Sequence, residues 1–174
     1  MDLETRLRDF RRRLEPWQVP EICQVEVFIE EHHGAPFGIE LIDSFLERHG
    51  YTDINPTAWG EFNRQSALQY LEKTLKYFWG LRNSPECISI PRDFVETFSS
   101  NARFVTAGWI FPVDEYPVVA GKREIEMRFP FWTKPVHQVS LESWNPITSW
   151  PLDMGIVAVD EKLIGMLWMA IDDT

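Results

Sequence analysis

The sequence predicts an α+β fold in which N-terminal helices pack on one face of a C-terminal antiparallel sheet. Up to about Ser100, apolar residues recur mostly at spacings of three and four, as in amphipathic helices. Beyond Ser100 they alternate every second residue, as in strands. With 174 residues, 44% of them hydrophobic, we expect one domain over 1–174, helical over 1–100 and stranded over 101–174.

Two segments predict amphipathic helices directly. Leu3, Leu7 and Phe10 begin a stripe that continues to Leu14, and Pro16 then ends the helix. Residues 37–49 also place their apolar side chains on one side, with Gly50 as the natural stop.

The remaining helical predictions rest on caps as much as on periodicity. Residues 20–33 predict a helix that Gly34 would end, although Cys23, Val25, Val27 and Ile29 also alternate as in a strand. A long helix over 56–79 is predicted behind Asn55 as its N-cap, and a short one over 91–98.

The strand predictions lie in the last seventy residues. Alternation predicts strands over 105–111 and 125–131. Residues 155–159 and 163–171 flank the turn Asp160-Glu161-Lys162 and predict a hairpin. Because both of its strands are apolar on both faces, we expect them at the centre of the sheet.

Charge is distributed unevenly along the chain. Between Trp17 and Phe62 there are nine acidic residues and one arginine, which gives −8 of the total net charge of −10. This balance argues against nucleic acid as a partner. The longest apolar stretch, 163–171, is too short to cross a bilayer, and no secretory signal is visible. We therefore expect a cytoplasmic protein, with Cys23 and Cys87 as free thiols.

An acidic stripe is the main candidate binding site. On the predicted helix 37–49, Glu40, Asp43 and Glu47 cluster opposite the apolar side. Glu26 and Glu30 add a second i,i+4 pair. An ordinary solvated helix face mixes charges of both signs, whereas these like charges repel one another. The stripe therefore indicates either a surface that docks a basic protein or a solvated face.

The second candidate site is the proline-rich segment around Trp144 and Trp150. Aromatic side chains on such loops can stack on sugars or anchor a protein interface. The alternative is that both rings cover the sheet, because aromatics make up 14% of the chain and must mostly be buried.

The sequence contains no complete catalytic or metal-binding motif. Glu30 and His33 would share one face of a helix, but a carboxylate-bridged metal site needs a second such pair, which the sequence lacks. Cys87 and His137 could form a thiolate–imidazole pair, yet nothing in the sequence brings them together. We predict no catalytic residues, no metal and no cofactor.

These observations favour a protein-binding module that is not an enzyme. Its most concrete form is a bacterial immunity or inhibitor protein whose acidic face neutralises a basic toxin. The alternative is a small-ligand or carbohydrate-binding domain that uses the Trp144/Trp150 loop. A hydrolytic enzyme is the third hypothesis.

Overall fold

The computed structural model describes residues 2–19, 21–51, 59–77, 83–107, 118–119, 122–123, 127–128, 147–148, 150 and 152–172. The helices within these ranges are α1 (Leu3–Leu14), α2 (Ile39–Arg48), α3 (Arg64–Tyr77) and α4 (Glu86–Thr97), with a 3₁₀ helix at Glu15–Trp17. The strands are β1 (Cys23–Glu31), β2 (Gly60–Phe62), β3 (Arg103–Thr106), β4 (Val118–Val119), β5 (Lys122–Arg123), β6 (Met127–Arg128), β7 (Leu152–Val159) and β8 (Leu163–Ile171).

Six of these strands form one antiparallel sheet in the order β1-β8-β7-β3-β2-β6. Strands β4 and β5 pair separately. The hairpin predicted around Asp160 is confirmed as β7 and β8, and both strands lie inside the sheet with neighbours on each side. Within the described residues, β1 is an edge strand paired only with β8.

Helices α1, α3 and α4 cover one face of the sheet. They enclose what we call the large core, whose helical members are Phe10, Leu14, Ala67, Tyr70, Leu71, Leu75, Cys87, Ile90, Phe94 and Val95. Its strand members are Cys23, Val25, Val27, Ile29, Phe62, Phe104, Met154, Ile156, Ala158, Leu167 and Met169, and Phe98 completes it. The α+β class, with helices packed on an antiparallel sheet, is confirmed.

Helix α2 covers the opposite face, which the sequence did not indicate. It encloses the small core, formed by Ile42, Phe45, Leu46, Trp59, Val105, Ala107, Ile147, Val157, Val159, Ile164, Met166 and Trp168. The strand residues of the two cores alternate along β7 and β8, as side chains of opposite faces must. The sheet is thus buried on both sides.

The helix predicted over 20–33 is wrong, because residues 23–31 form β1. The strand alternative in the sequence was the correct one. Val25, Val27 and Ile29 point into the large core, whereas Phe28 packs against the small core. A strand between two cores needs apolar residues at period two, and this requirement outweighed the helical signals.

The predicted helix 56–79 is shorter than expected and is preceded by a strand. Residues 60–62 form β2, and α3 begins at Arg64. Asn63 explains the boundary, since its side-chain oxygen accepts a hydrogen bond from the backbone N–H of Ser66 at 2.8 Å, as an N-cap does. The predicted cap at Asn55 and the end near Trp79 lie outside the described residues.

The other predicted boundaries of helices and strands agree with the structure in part. Helices α1 and α2 are confirmed within two residues, and α4 begins five residues before the predicted start at Pro91. Strand β3 confirms the first of the two predicted alternating segments, whose residues 108–111 lie outside the described ranges. Of the second, 127–128 form β6, and 125–126 and 129–131 lie outside.

Candidate functional site

Helix α2 holds the acidic stripe away from the sheet. Its inner side chains, Ile42, Phe45 and Leu46, are completely buried in the small core. The helix ends where Gly50 adopts φ +90°, a left-handed conformation that glycine accepts readily. The backbone N–H of Tyr51 then donates to the carbonyl of Leu46 at 3.0 Å and closes the last turn. This buried side fixes which residues α2 presents outward.

The acidic stripe consists of Glu40, Asp43 and Glu47. Glu40 and Glu47 are exposed, and Asp43 is half-buried. Partial burial raises the pKa of Asp43, and the neighbouring charge of Glu47 raises it further. Within the described part of the chain, none of the three carboxylates has an ion-pair or hydrogen-bond partner. The stripe therefore bears repulsion that the fold does not relieve.

Several acidic residues elsewhere in the structure are paired with cations. Arg13 joins α1 to α4 by contacting both Glu86 and Asp93, at 2.8 and 2.6 Å. The almost fully buried carboxylate of Glu61 receives two hydrogen bonds from Arg103, at 2.7 and 2.8 Å. Unlike these paired acids, the three carboxylates of the stripe on α2 have no cationic partner among the described residues.

Glu26 and Glu30 lie on β1, so the interpretation of them as a helical i,i+4 pair is wrong. Residues an even number apart on a strand share a face, and both carboxylates lie on the α2 side of the sheet. Arg48 donates from Nε to Glu30 Oε1 at 3.0 Å, and His49 Nε2 lies 3.0 Å from Glu30 Oε2. Glu26 accepts a hydrogen bond from the hydroxyl of Tyr51, and burial raises its pKa.

These contacts separate the five predicted acidic residues into two groups. Glu40, Asp43 and Glu47 point away from the sheet, whereas Glu26 and Glu30 anchor the C-terminal end of α2 to β1. All five still belong to the same side of the molecule. Arg48, the one cation of α2, contacts Glu30 and Ser44, and this engagement leaves the outer stripe uncompensated.

His49 is part of this anchor, and the sequence did not single it out. Its ring stacks on Phe28 with centroids 4.2 Å apart and meets Phe45 edge-on at 4.8 Å. The ring and its contact with Glu30 thus join β1 to α2. Only the position of His49 in the last turn of a helix could have suggested a role beside a carboxylate.

The tryptophan segment is described in part. Trp150 is half-buried, and Trp144 lies outside the described residues. The turn before Trp150 is fixed by Asp153, whose Oδ2 accepts backbone N–H bonds from Ile147 at 2.8 Å and Thr148 at 2.7 Å. Ile147 is buried in the small core, so this turn lies on the α2 side of the sheet. The ligand-binding alternative stays a prediction.

The candidate reactive groups do not form a catalytic site among the described residues. Glu30 and His33 are not on a helix, and Glu30 is engaged by Arg48 and His49. No cluster of three potential metal ligands occurs in the described ranges. Cys23 and Cys87 are buried and unpaired, and burial raises the pKa of Cys23 to about 12. His137 lies outside the described residues.

Two further findings bear on function. Across the ranges that the structure describes, no helix has both the length and the apolar character that crossing a bilayer requires. Comparison of the chain with known protein families, with curated proteins and with solved structures finds no match. A functional proposal therefore has to rest on the chain's own residues.

Proposed function

We propose that this protein is a binding module, not an enzyme, whose acidic stripe docks on a basic surface of a partner protein. The observation that supports the proposal is the set of carboxylates at Glu40, Asp43 and Glu47, which have no cationic partner among the described residues. Like charges at i,i+4 destabilise a helix by a few tenths of a kcal/mol. A basic partner would remove that cost on binding.

The physics of such a surface favours rapid recognition. Carboxylates on one side of a chain with net charge −10 attract a cationic protein and raise its association rate. The buried inner side of α2 and the anchor through Glu30 hold the stripe in a fixed orientation. Since the helix is already formed, little ordering cost would accompany docking.

The most concrete form of the proposal is an inhibitor that neutralises a cationic toxin, such as a nuclease, in the bacterial cytoplasm. A toxin that binds polyanions carries a cluster of basic residues, and carboxylates can occupy that cluster in place of phosphates. The half-buried Trp150, whose turn lies on the same side of the sheet, would extend the contact with an aromatic side chain.

The test is a matched pair of charge-reversal variants. One carries Glu40→Lys, Asp43→Lys and Glu47→Lys. The control carries Glu4→Lys, Glu96→Lys and Glu161→Lys, which are exposed residues of α1, α4 and the β7–β8 turn. Both variants have the same net charge, so they separate the effect of the stripe from that of overall charge.

Wild type and both variants would be used to capture partners from an extract of the native host, with mass spectrometry of the bound proteins. A basic protein retained by the wild type and the control, but not by the stripe variant, is the expected result. Its association rate with the wild type should fall steeply between 0.01 and 0.15 M salt, as the Debye length shrinks from about 30 to about 8 Å. A partner that binds the stripe variant equally well and ignores salt would refute the proposal.

A further inference from the structure

A groove with a volume of about 750 Å³ runs between α1 and the beginning of β1. One wall is formed by α1 and the residues that follow it, and the other by residues 23–28. Its volume lies within the range of about 300–1,000 Å³ that is common for small-ligand pockets. The described residues that line it include none of the acidic stripe, so the groove is a separate feature of the surface.

The β1 wall of this groove has its backbone groups covered by the chain itself. The N–H and C=O groups of Cys23 both bond to the backbone of Val19, at 2.8 and 3.0 Å. The side-chain amide of Gln18 accepts from the N–H of Val25 at 3.0 Å and donates to its carbonyl at 2.5 Å. Because these backbone groups are already bonded, an extended peptide could not pair with them. A ligand in the groove would be recognised by side chains.

Three exposed arginines of α1 supply such side chains, since Arg8, Arg11 and Arg12 all line the groove. Residues three and four apart on a helix are neighbours on its surface, so these guanidinium groups can reach one ligand. Arg8 and Arg12 form exposed ion pairs with Glu4 and Asp9, which are weak and easily exchanged. Arg11 has no ion-pair partner in the described part of the chain.

Two acidic residues also line the groove, but neither pairs with these arginines within the described ranges. The carboxylate of Glu26 is half-buried and accepts a hydrogen bond from the hydroxyl of Tyr51. Glu15 is exposed and forms no ion pair there, although it lies four residues after Arg11. The α1 wall thus carries three positive charges against one negative charge, in a chain whose net charge is −10.

The β1 wall contributes one polar side chain without a partner. Gln24 lines the groove and is exposed, and its side-chain amide makes no hydrogen bond among the described residues. An amide offers both donors and an acceptor. Gln24 can therefore bond to a polar ligand whose charged groups are held by α1.

We propose that this groove binds a small molecule with two or more linked phosphoryl groups, whose oxygen atoms are held by Arg8, Arg11 and Arg12. A guanidinium group donates two parallel hydrogen bonds to a phosphate or a carboxylate. Three such groups call for more oxygen atoms than one carboxylate or one phosphate provides. Linked phosphoryl groups supply these oxygens, and the matching negative charge, within a small volume.

The first test is calorimetric titration of the wild-type protein at low salt with inorganic triphosphate, inorganic phosphate and citrate. Triphosphate should bind, and the other two anions should bind several-fold more weakly. NMR spectra recorded during the triphosphate titration locate the site. The amide signals of Gln24 and Val25 should shift, whereas that of Arg92, an exposed arginine of α4, should not.

Neutralising the arginines tests their role against that of overall charge. The groove variant carries Arg8→Gln, Arg11→Gln and Arg12→Gln, and its control carries Lys76→Gln, Arg92→Gln and Lys162→Gln at exposed positions elsewhere. Three exposed charge contacts, each worth a factor of about two in affinity, predict a loss of about tenfold for the groove variant. The control has the same net charge and should bind nearly as the wild type does.

A second pair of variants adds a charge. Gln24→Lys places a fourth cation in the groove and should tighten triphosphate binding by a factor of about two to five. Gln65→Lys makes the same change at an exposed position of α3 and should have little effect. Since a folding defect cannot raise affinity, this pair tests the proposal even if the glutamine variant is unstable.

Several results would overturn the proposal. These are no binding of triphosphate at millimolar concentration, equal losses in both glutamine variants, or equal gains in both lysine variants. Citrate binding as tightly as triphosphate would show that the groove does not select phosphoryl groups. Because none of these measurements involves Glu40, Asp43 or Glu47, they succeed or fail separately from the proposed function.

Discussion

Replacing Asp160 should be among the most damaging single changes outside the two cores. Its Oδ1 accepts backbone N–H bonds from Lys162 at 2.8 Å and Leu163 at 2.7 Å, which close the β7–β8 turn. Its Oδ2 accepts from the N–H of Ser99 at 2.8 Å, just after α4. His32, after β1, contacts its carbonyl oxygen at 2.6 Å. One carboxylate thus joins the hairpin to α4.

The expected loss of folding free energy follows from the three hydrogen bonds that the Asp160 carboxylate accepts. A hydrogen bond to an ionised acceptor contributes about 1.5–3 kcal/mol when well shielded. Because the turn is partly exposed to water, we take a smaller contribution of about 1 kcal/mol of folding stability for each bond. We expect Asp160→Ala to cost about 3 kcal/mol. Asp160→Asn should cost about half as much, since its amide oxygen can still accept bonds while its NH₂ group meets another donor.

The stability that Asp160 contributes also depends on pH. Burial opposes ionisation of Asp160, but the backbone N–H bonds from Ser99, Lys162 and Leu163 outweigh it, and its pKa is lowered in the folded protein. A carboxyl group with a lowered folded pKa stabilises the fold above its unfolded pKa of about 3.9. That contribution is lost as pH falls through the folded pKa. The stability difference between wild type and Asp160→Asn should therefore narrow below about pH 4.

Urea unfolding followed by tryptophan fluorescence at pH 7 and at lower pH would measure these differences. Glu161→Ala is the matched control, because this exposed neighbour makes one side-chain bond, to the hydroxyl of Ser99 at 3.0 Å. It should change stability by less than about 0.5 kcal/mol. A loss below 1 kcal/mol for Asp160→Ala, or equal effects of both alanine variants, would refute the reasoning.

Two further predictions concern packing and the thiols. Gly165→Ala should destabilise the protein by about 1–3 kcal/mol in thermal unfolding, because the new Cβ would lie 2.7 Å from the carbonyl oxygen of Phe28. Gly38→Ala, whose Cβ would meet nothing within 4 Å, is its control, and an equal cost in both variants would contradict the steric argument. Cys23 and Cys87 should react with a thiol reagent only after denaturation, since both are buried and burial raises the pKa of Cys23 to about 12. Rapid labelling of the native protein would show that this reasoning is wrong.

The elements that sequence reasoning predicted well carry an unambiguous local pattern. Helix α1 has an apolar stripe from Leu3 to Leu14, and α2 has one at Ile42, Phe45 and Leu46. The β7–β8 hairpin is apolar on both faces around a polar turn, as expected for central strands. In each of these, periodicity and boundary residues indicate the same structure.

The errors lie where two patterns compete. Residues 23–31 have both the alternation of a strand and the proline and glycine that flank helices, and β1 forms because β8 and two cores are available to it. Strand β2 is only three residues long and is defined by its pairing with β3 and β6. Pairing with residues distant along the chain leaves little trace in a short local window.

The sequence by itself determined the class of fold, the acidic character of α2 and the residues that lie opposite its buried side, because these follow from periodicity and charge along one segment. Tertiary structure alone decided that α2 covers a second face of the sheet and that Glu30 pairs with Arg48 and His49. These features depend on groups that are far apart in the chain and meet only when the sheet assembles, so no local pattern encodes them.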